Sequence, residues 1–146
     1  MKQEVKICLI GSGRAGMIHG HNFVGRVPRG KIVAVCDPVG NVAEEAAKEL
    51  GIELSYKDYN DVMKNPDIDA VVIACPTKFH KEITIAAAEA GKHIFCEKPI
   101  ALSYADCDAM VKAAEKAGVT FMAGHVMNFF CGVRHAKQLI AEGKIG

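Results

Sequence analysis

Glycines at positions 11, 13 and 16 follow directly on the apolar residues Val5, Ile7, Leu9 and Ile10, in the order Gly-Ser-Gly-Arg-Ala-Gly. This arrangement suits the binding of a phosphate. Gly11 admits a tight turn, Gly13 lets the backbone approach an anion, and Gly16 lets the following helix pack on the strand. The helix-compatible stretch 17–27 points unpaired N–H groups and its positive end at that anion. Asp37 ends the next apolar run, 31–36, and lies 21 positions beyond Gly16. That is the spacing of a carboxylate that accepts hydrogen bonds from the ribose of a dinucleotide. A 2′-phosphate there meets a like charge, so Asp37 favours NAD over NADP. The competing reading is a glycine-rich turn without a ligand, and the agreement of strand, glycines, helix and acid argues against it.

Two further segments carry groups capable of chemistry. Ala74-Cys75-Pro76-Thr77-Lys78-Phe79-His80 follows an apolar run at 70–75, and Glu97-Lys98-Pro99 follows one at 93–96. Ligands of open α/β sheets bind at the carboxyl ends of the strands, so both segments face the same crevice as the glycine turn. A lysine after a strand is commonly a solvated charge. At the ligand edge, the Lys98 ammonium can instead stabilise negative charge developing on an oxygen. His80 either faces the crevice or packs at a helix start, and His125 either reaches the crevice or packs. Arg14 contacts phosphate or faces solvent. His19 and His21, on the first helix, read as surface or core histidines.

The elements that must position these residues alternate along the chain. Strands are expected at 5–10, 31–36, 53–56, 70–75, 93–96 and 119–123, and helices near 14–27, 41–50, 58–64, 79–90, 103–117 and 131–142. Asn41 is a candidate N-cap, Ser103 with Asp106 resembles a capping box, and Gly51, Gly91 and Gly118 stand where helices must end. Pro66-Asp67 marks a turn. This alternation implies an α/β fold, a Rossmann-type doubly wound parallel sheet in three α/β/α layers, with two mononucleotide halves of three strands each.

Composition narrows the classes. A chain of 146 residues, half of them apolar, is long enough for one domain with its own core. A net charge of +1 provides no basic surface for nucleic acid or anionic membrane. No apolar run approaches the ~20 residues that span a bilayer. The charged N-terminus does not resemble a signal peptide, so a cytoplasmic location is expected. No metal site is expected, because the six cysteines form no C-x-x-C pair. They read as small buried hydrophobes in a reducing compartment. The sharper alternative is that Cys36, Cys75 and Cys96 meet at the sheet edge to bind metal or sense redox state.

Taken together, Gly-x-Gly-x-x-Gly, Cys-Asp-Pro, Ala-Cys-Pro-Thr-x-x-His and Ala-Gly-Lys-His-Ile-x-x-Glu-Lys-Pro resemble the Gfo/Idh/MocA oxidoreductase family over essentially the whole chain. The resemblance implies an N-terminal dinucleotide-binding domain from an enzyme that moves hydride between nicotinamide and a CH–OH group of a sugar, polyol or inositol-like substrate. It matches Gly11, Ser12, Gly13, Arg14, Ala15 and Gly16 to the pyrophosphate loop and Asp37 to the ribose acid. Cys75, Pro76, Thr77 and His80 match the loop lining the nicotinamide half, and Glu97 a residue near the nicotinamide ribose. Lys98 matches the catalytic lysine on the substrate oxygen. Pro99 matches a proline often preceded by a cis peptide, and His125 stands near the nicotinamide side.

The resemblance also sets expectations about extent. Residues 1–124 correspond to the NAD(P)-binding domain, and 125–146 to a terminal helix leading toward a substrate domain that the chain lacks. The family's acid/base residues, commonly Asp and His, lie in that second domain, so the chain by itself is expected to be inactive. A homo-oligomer is expected, and the surface near 123–130 is expected either to associate or to be loosely ordered. Asn128 stands where an arginine is common, and Cys131 where a proline is common. The alternatives are a non-catalytic NAD-binding regulatory module working with a separate polypeptide, and an interaction domain with no ligand in its glycine turn.

Overall fold

Residues 4–146 are described by the computed structural model. The charged terminus at 1–3, read above for targeting, lies outside the described residues. Six strands, β1 (Val5–Ile10), β2 (Gly30–Cys36), β3 (Leu54–Tyr56), β4 (Ala70–Ile73), β5 (His93–Cys96) and β6 (Phe121–Ala123), form one parallel sheet in the order β3-β2-β1-β4-β5-β6. That order is the doubly wound arrangement with its switch point beside β1.

The central strand explains why the sheet is parallel and covered. Ile7, Cys8, Leu9 and Ile10 are all buried, the continuous run expected of a strand with helices on both faces. Alternate side chains enter different cores. Ile7 and Leu9 join Val35, Ala43, Ala47 and Leu50 beneath α1 (Arg14–Arg26) and α2 (Val42–Leu50). Cys8 and Ile10 join Val62, Ile83 and Met110 beneath α3 (Tyr59–Lys64), α4 (His80–Glu89) and α5 (Tyr104–Ala117). The last helix, α6 (Cys131–Ala141), buries none of its residues.

The helix stops follow the expected chemistry with one correction. Gly51 and Gly118 are left-handed caps, and Gly91 also has positive φ. Ser103 Oγ accepts the Asp106 N–H at 3.1 Å. Asn41 does not cap α2 with its side chain. Its backbone, at φ −106° and ψ 14°, is outside the extended region that a capping residue needs, and a turn from Val39 to Val42 opens the helix instead.

Three strands are shorter than expected, β3 by one residue at its start. At β4 the chain turns after Ile73 to run past Gly11. At β6, the Val119 N–H closes α5 on Ala114 O, and the Thr120 N–H donates to His93 Nδ1 at 3.0 Å. A 3-10 turn, Thr77–Phe79, precedes α4, so that helix begins at His80.

Candidate dinucleotide site

The glycine turn is built as its sequence implies. The Gly11 N–H reaches Cys36 O at 2.8 Å, and its φ of +90° lies in the region that favours glycine. A Cβ at Gly11 would sit 2.5 Å from the Cys75 nitrogen, and one at Gly16 would strike the Gly11 carbonyl oxygen. The turn, the start of α1 and the loop after β4 are therefore in backbone contact. Gly13, by contrast, faces open space. No side chain caps α1, and no acid lies in its first turn. The positive end of the helix is thus bare at the crevice, as an anion requires.

Asp37 braces this turn. Its Oδ2 accepts the Ser12 N–H at 3.0 Å and lies 3.2 Å from Ser12 Oγ, while Oδ1 accepts the Val39 N–H at 3.1 Å. Ser12 itself is buried.

Two cavities flank the turn. One, of about 830 Å³, is lined by Gly11, Gly13, Arg14, Asp37, Cys75 and Pro76, among others. The second, of about 450 Å³, lies over β5 and β6 and includes His19, Glu97, Lys98, Gly124 and His125. Ala15 lines both. Of the candidates, Ser12, Gly16, Thr77, His80 and Pro99 line neither.

His80 is withdrawn from the crevice. It is 1% exposed, its Nε2 lies 2.8 Å from Cys75 O, and its Nδ1 lies 3.1 Å from Ile100 O and 3.3 Å from Cys96 Sγ. It ties the loop after β4 to the loop after β5. Lys98 and Pro99 are exposed, and the bond between them is cis.

The titrations are those of a closed sheet edge. Burial pushes the thiols up: Cys36 and Cys96 to about 12, Cys75 to about 11, and Cys8 well above its ordinary value. Such thiols are protonated and unreactive at neutral pH. All six cysteines are free, and no grouping of three metal-ligating side chains occurs among the described residues.

Glu97 behaves differently. Burial raises its carboxyl, but the hydrogen bonds from His19 and the Lys98 N–H, with the charges of both neighbours, outweigh it and leave the group below its usual range. His19 Nε2 is 2.8 Å from Glu97 Oε1, and the Lys98 N–H is 2.8 Å from Oε2. An ionised carboxylate only accepts, so His19 Nε2 carries the hydrogen.

His19, read from the sequence as a surface or core histidine, lines the second cavity. A signal for it existed in the spacing: Ala15, Ile18, His19 and Asn22 recur at helical intervals and all line the second cavity.

Residues 5–125 match the family model described as "Oxidoreductase family, NAD-binding Rossmann fold". The chain is 46% identical over 144 residues to a 2,7-anhydro-N-acetylneuraminate hydratase of Mediterraneibacter gnavus, covering 99% of this chain and 37% of that protein. It is 40% identical over 146 residues to the NAD(+)-dependent scyllo-inositol 2-dehydrogenase of Bacillus subtilis, covering 100% and 43%. The crystal structure of scyllo-inositol dehydrogenase from Lactobacillus casei with bound NAD(H) and scyllo-inositol superposes with a TM-score of 0.91 at 36% identity, covering 98% of this chain and 42% of that one. The chain thus spans about two-fifths of the length of these relatives.

Proposed function

The chain belongs to the Gfo/Idh/MocA oxidoreductase family, and from that premise we propose that it is the cofactor-binding domain of an NAD-dependent oxidoreductase acting on a CH–OH group of a sugar, polyol or inositol-like substrate. The observation that carries this reading is a pair of cavities that share Ala15 in the first turn of α1, one lined by Asp37 and the other by Lys98, with the uncapped start of that helix beside them. The fit to a dinucleotide rests on the open space at Gly13 and on the uncapped helix, which together leave N–H donors and room for a pyrophosphate.

The residues divide the work by position. Asp37 receives the adenosine ribose, through oxygens that already hold the turn, and its charge disfavours a 2′-phosphate. Gly13, Arg14 and Ala15 bracket the pyrophosphate. Glu97, Lys98 and His125 lie around the nicotinamide half. When bound, the nicotinamide exchanges a hydride with the substrate carbon. The exposed Lys98 ammonium donates to the substrate oxygen and stabilises its developing charge. Thr77, His80 and Pro99 shape the loops that carry these groups. The relatives include both a dehydrogenase and a hydratase, so the substrate and the net reaction are assigned here only as a class. Six free thiols accord with a reducing cytoplasm.

Calorimetric titration tests the cofactor assignment. The protein is expected to bind NADH with one site and NADPH more weakly. Asp37→Asn narrows the difference by about tenfold or more, the effect of removing one close like-charge repulsion. A flat NADH titration overturns the reading.

A further inference from the structure

The pairing of His19 with Glu97 has no part in the assignments above. It joins α1, which starts at the glycine turn, to the loop after β5, which bears Lys98. The partners are 78 positions apart, and both are largely buried, at 21% and 18% side-chain exposure.

The pair is held on every side. The His19 ring meets Phe95 edge-on, with centroids 5.2 Å apart and planes at 66°. Phe95 stands on β5 two residues before Glu97, so the strand that delivers the carboxylate also supports the imidazole. On the other side Gly124, just beyond β6, packs against Glu97; a Cβ there would lie 3.3 Å from its carboxyl carbon and from Oε2. Glu97 thus has little space for another rotamer. Its two oxygens have separate duties, Oε1 on the His19 ring and Oε2 on the Lys98 N–H, both at 2.8 Å.

We infer that His19 is a positioning residue for the nicotinamide end of the site: it fixes the Glu97 carboxylate, which in turn fixes the Lys98 backbone and so the direction in which the Lys98 ammonium enters the crevice. This rests on the cofactor reading given above. The arrangement is directional. His19 touches Glu97, Glu97 touches the amide of Lys98, and the lysine side chain stays free for a ligand. The imidazole donates a charge-assisted bond, the kind whose geometry is held most firmly. Because α1 begins at the phosphate turn, the same helix that receives the middle of a dinucleotide also sets the loop at one end of it.

Two ligands separate positioning from general folding. NADH engages both cavities, whereas ADP-ribose lacks the nicotinamide. With His19→Ala, NADH affinity is expected to fall about tenfold, the value of one charge-assisted hydrogen bond, while ADP-ribose affinity is unchanged. In the ligand-free protein, the Lys98 amide resonance in a proton–nitrogen spectrum shifts on the same substitution. In a Glu97→Gln background, His19→Ala has little further effect on NADH, because its influence passes through Glu97.

Equal losses for NADH and ADP-ribose overturn the inference, as does unchanged NADH affinity, an unmoved Lys98 amide or full additivity with Glu97→Gln. If the unaltered protein binds ADP-ribose and NADH but His19 shows none of these effects, the inference about His19 fails alone. If the unaltered protein binds neither ligand, the cofactor reading fails with it.

Discussion

At the residue scale, one side chain type has opposite fates in different places. Cys8, Cys36 and Cys96 are buried in the sheet, whereas Cys131 is exposed on α6. A thiol whose folded pKa exceeds its unfolded value of about 9 keeps its stabilising effect below pH 9. It loses that effect as pH rises toward the folded value, because only the unfolded chain then releases the proton. For Cys36 and Cys96 the window runs from pH 9 to about 12. Urea midpoints are therefore expected to drop steadily above pH 9, and Cys36→Ala should flatten that slope; a slope unchanged by the substitution contradicts the assignment. Glu97 has the reverse sign. Its depressed carboxyl favours the fold above the ordinary carboxylate range, and the benefit is lost on acidification.

The candidates differed in how well single residues could be read. Asp37 and Lys98 were legible because a fixed spacing and a strand end determine where they must lie. His80 was half legible: the motif left open whether it faces the crevice or packs at a helix start, and could not show that it packs because its ring bonds inward to the carbonyls of Cys75 and Ile100. The pairing of His19 was missed because its partner is 78 positions away, and no local pattern names Glu97.

At the scale of elements, continuous apolar runs located the inner strands β1, β2 and β4, since a strand buried on both faces has little polar interruption to confuse it, whereas β3 and β6, which bury no residue, were legible mainly from the alternation of helices and strands. The discrepancies lie at ends, where a single bond decides the boundary. Thr120 donates to the His93 ring instead of extending β6, and the Asn41 backbone excludes a side-chain cap. Ser103 shows the opposite outcome. Its Oγ accepts the Asp106 N–H, and the Asp106 carboxylate receives both the Ser103 hydroxyl at 2.8 Å and Lys81 of α4 at 2.7 Å. Replacing Ser103 by Ala should cost about 1 kcal/mol, as for other lost N-caps. Chemical denaturation would measure it, and a change within error would mean that α5 is held by packing alone.

Across the whole molecule, burial is uneven. Both faces of β1 are sealed, yet over β5 and β6 the α1 side is thinly covered, with Met122 at 41% exposure. Beyond β6, Val126, Met127, Phe129 and Phe130 are all more than half exposed. Apolar side chains grouped in this way mark surfaces that associate. Light scattering should show self-association of this chain, reduced by Phe129→Ser with Phe130→Ser; a monodisperse monomer contradicts the expectation. This feature was only partly legible. The double phenylalanine is visible in the sequence, but whether a helix or the sheet would cover it depends on tertiary packing. No helix among the described residues is long and apolar enough to cross a membrane.

The position shared by the two cavities has a consequence for how such a cleft can change. Ala15 is the one residue on both linings, and its side chain is a single methyl group. A side chain longer than that methyl would take space from both cavities at once. Substitution at 15 is therefore expected to weaken a ligand that reaches into both cavities more than one confined to either, so this position in the first turn of α1 acts as a shared wall.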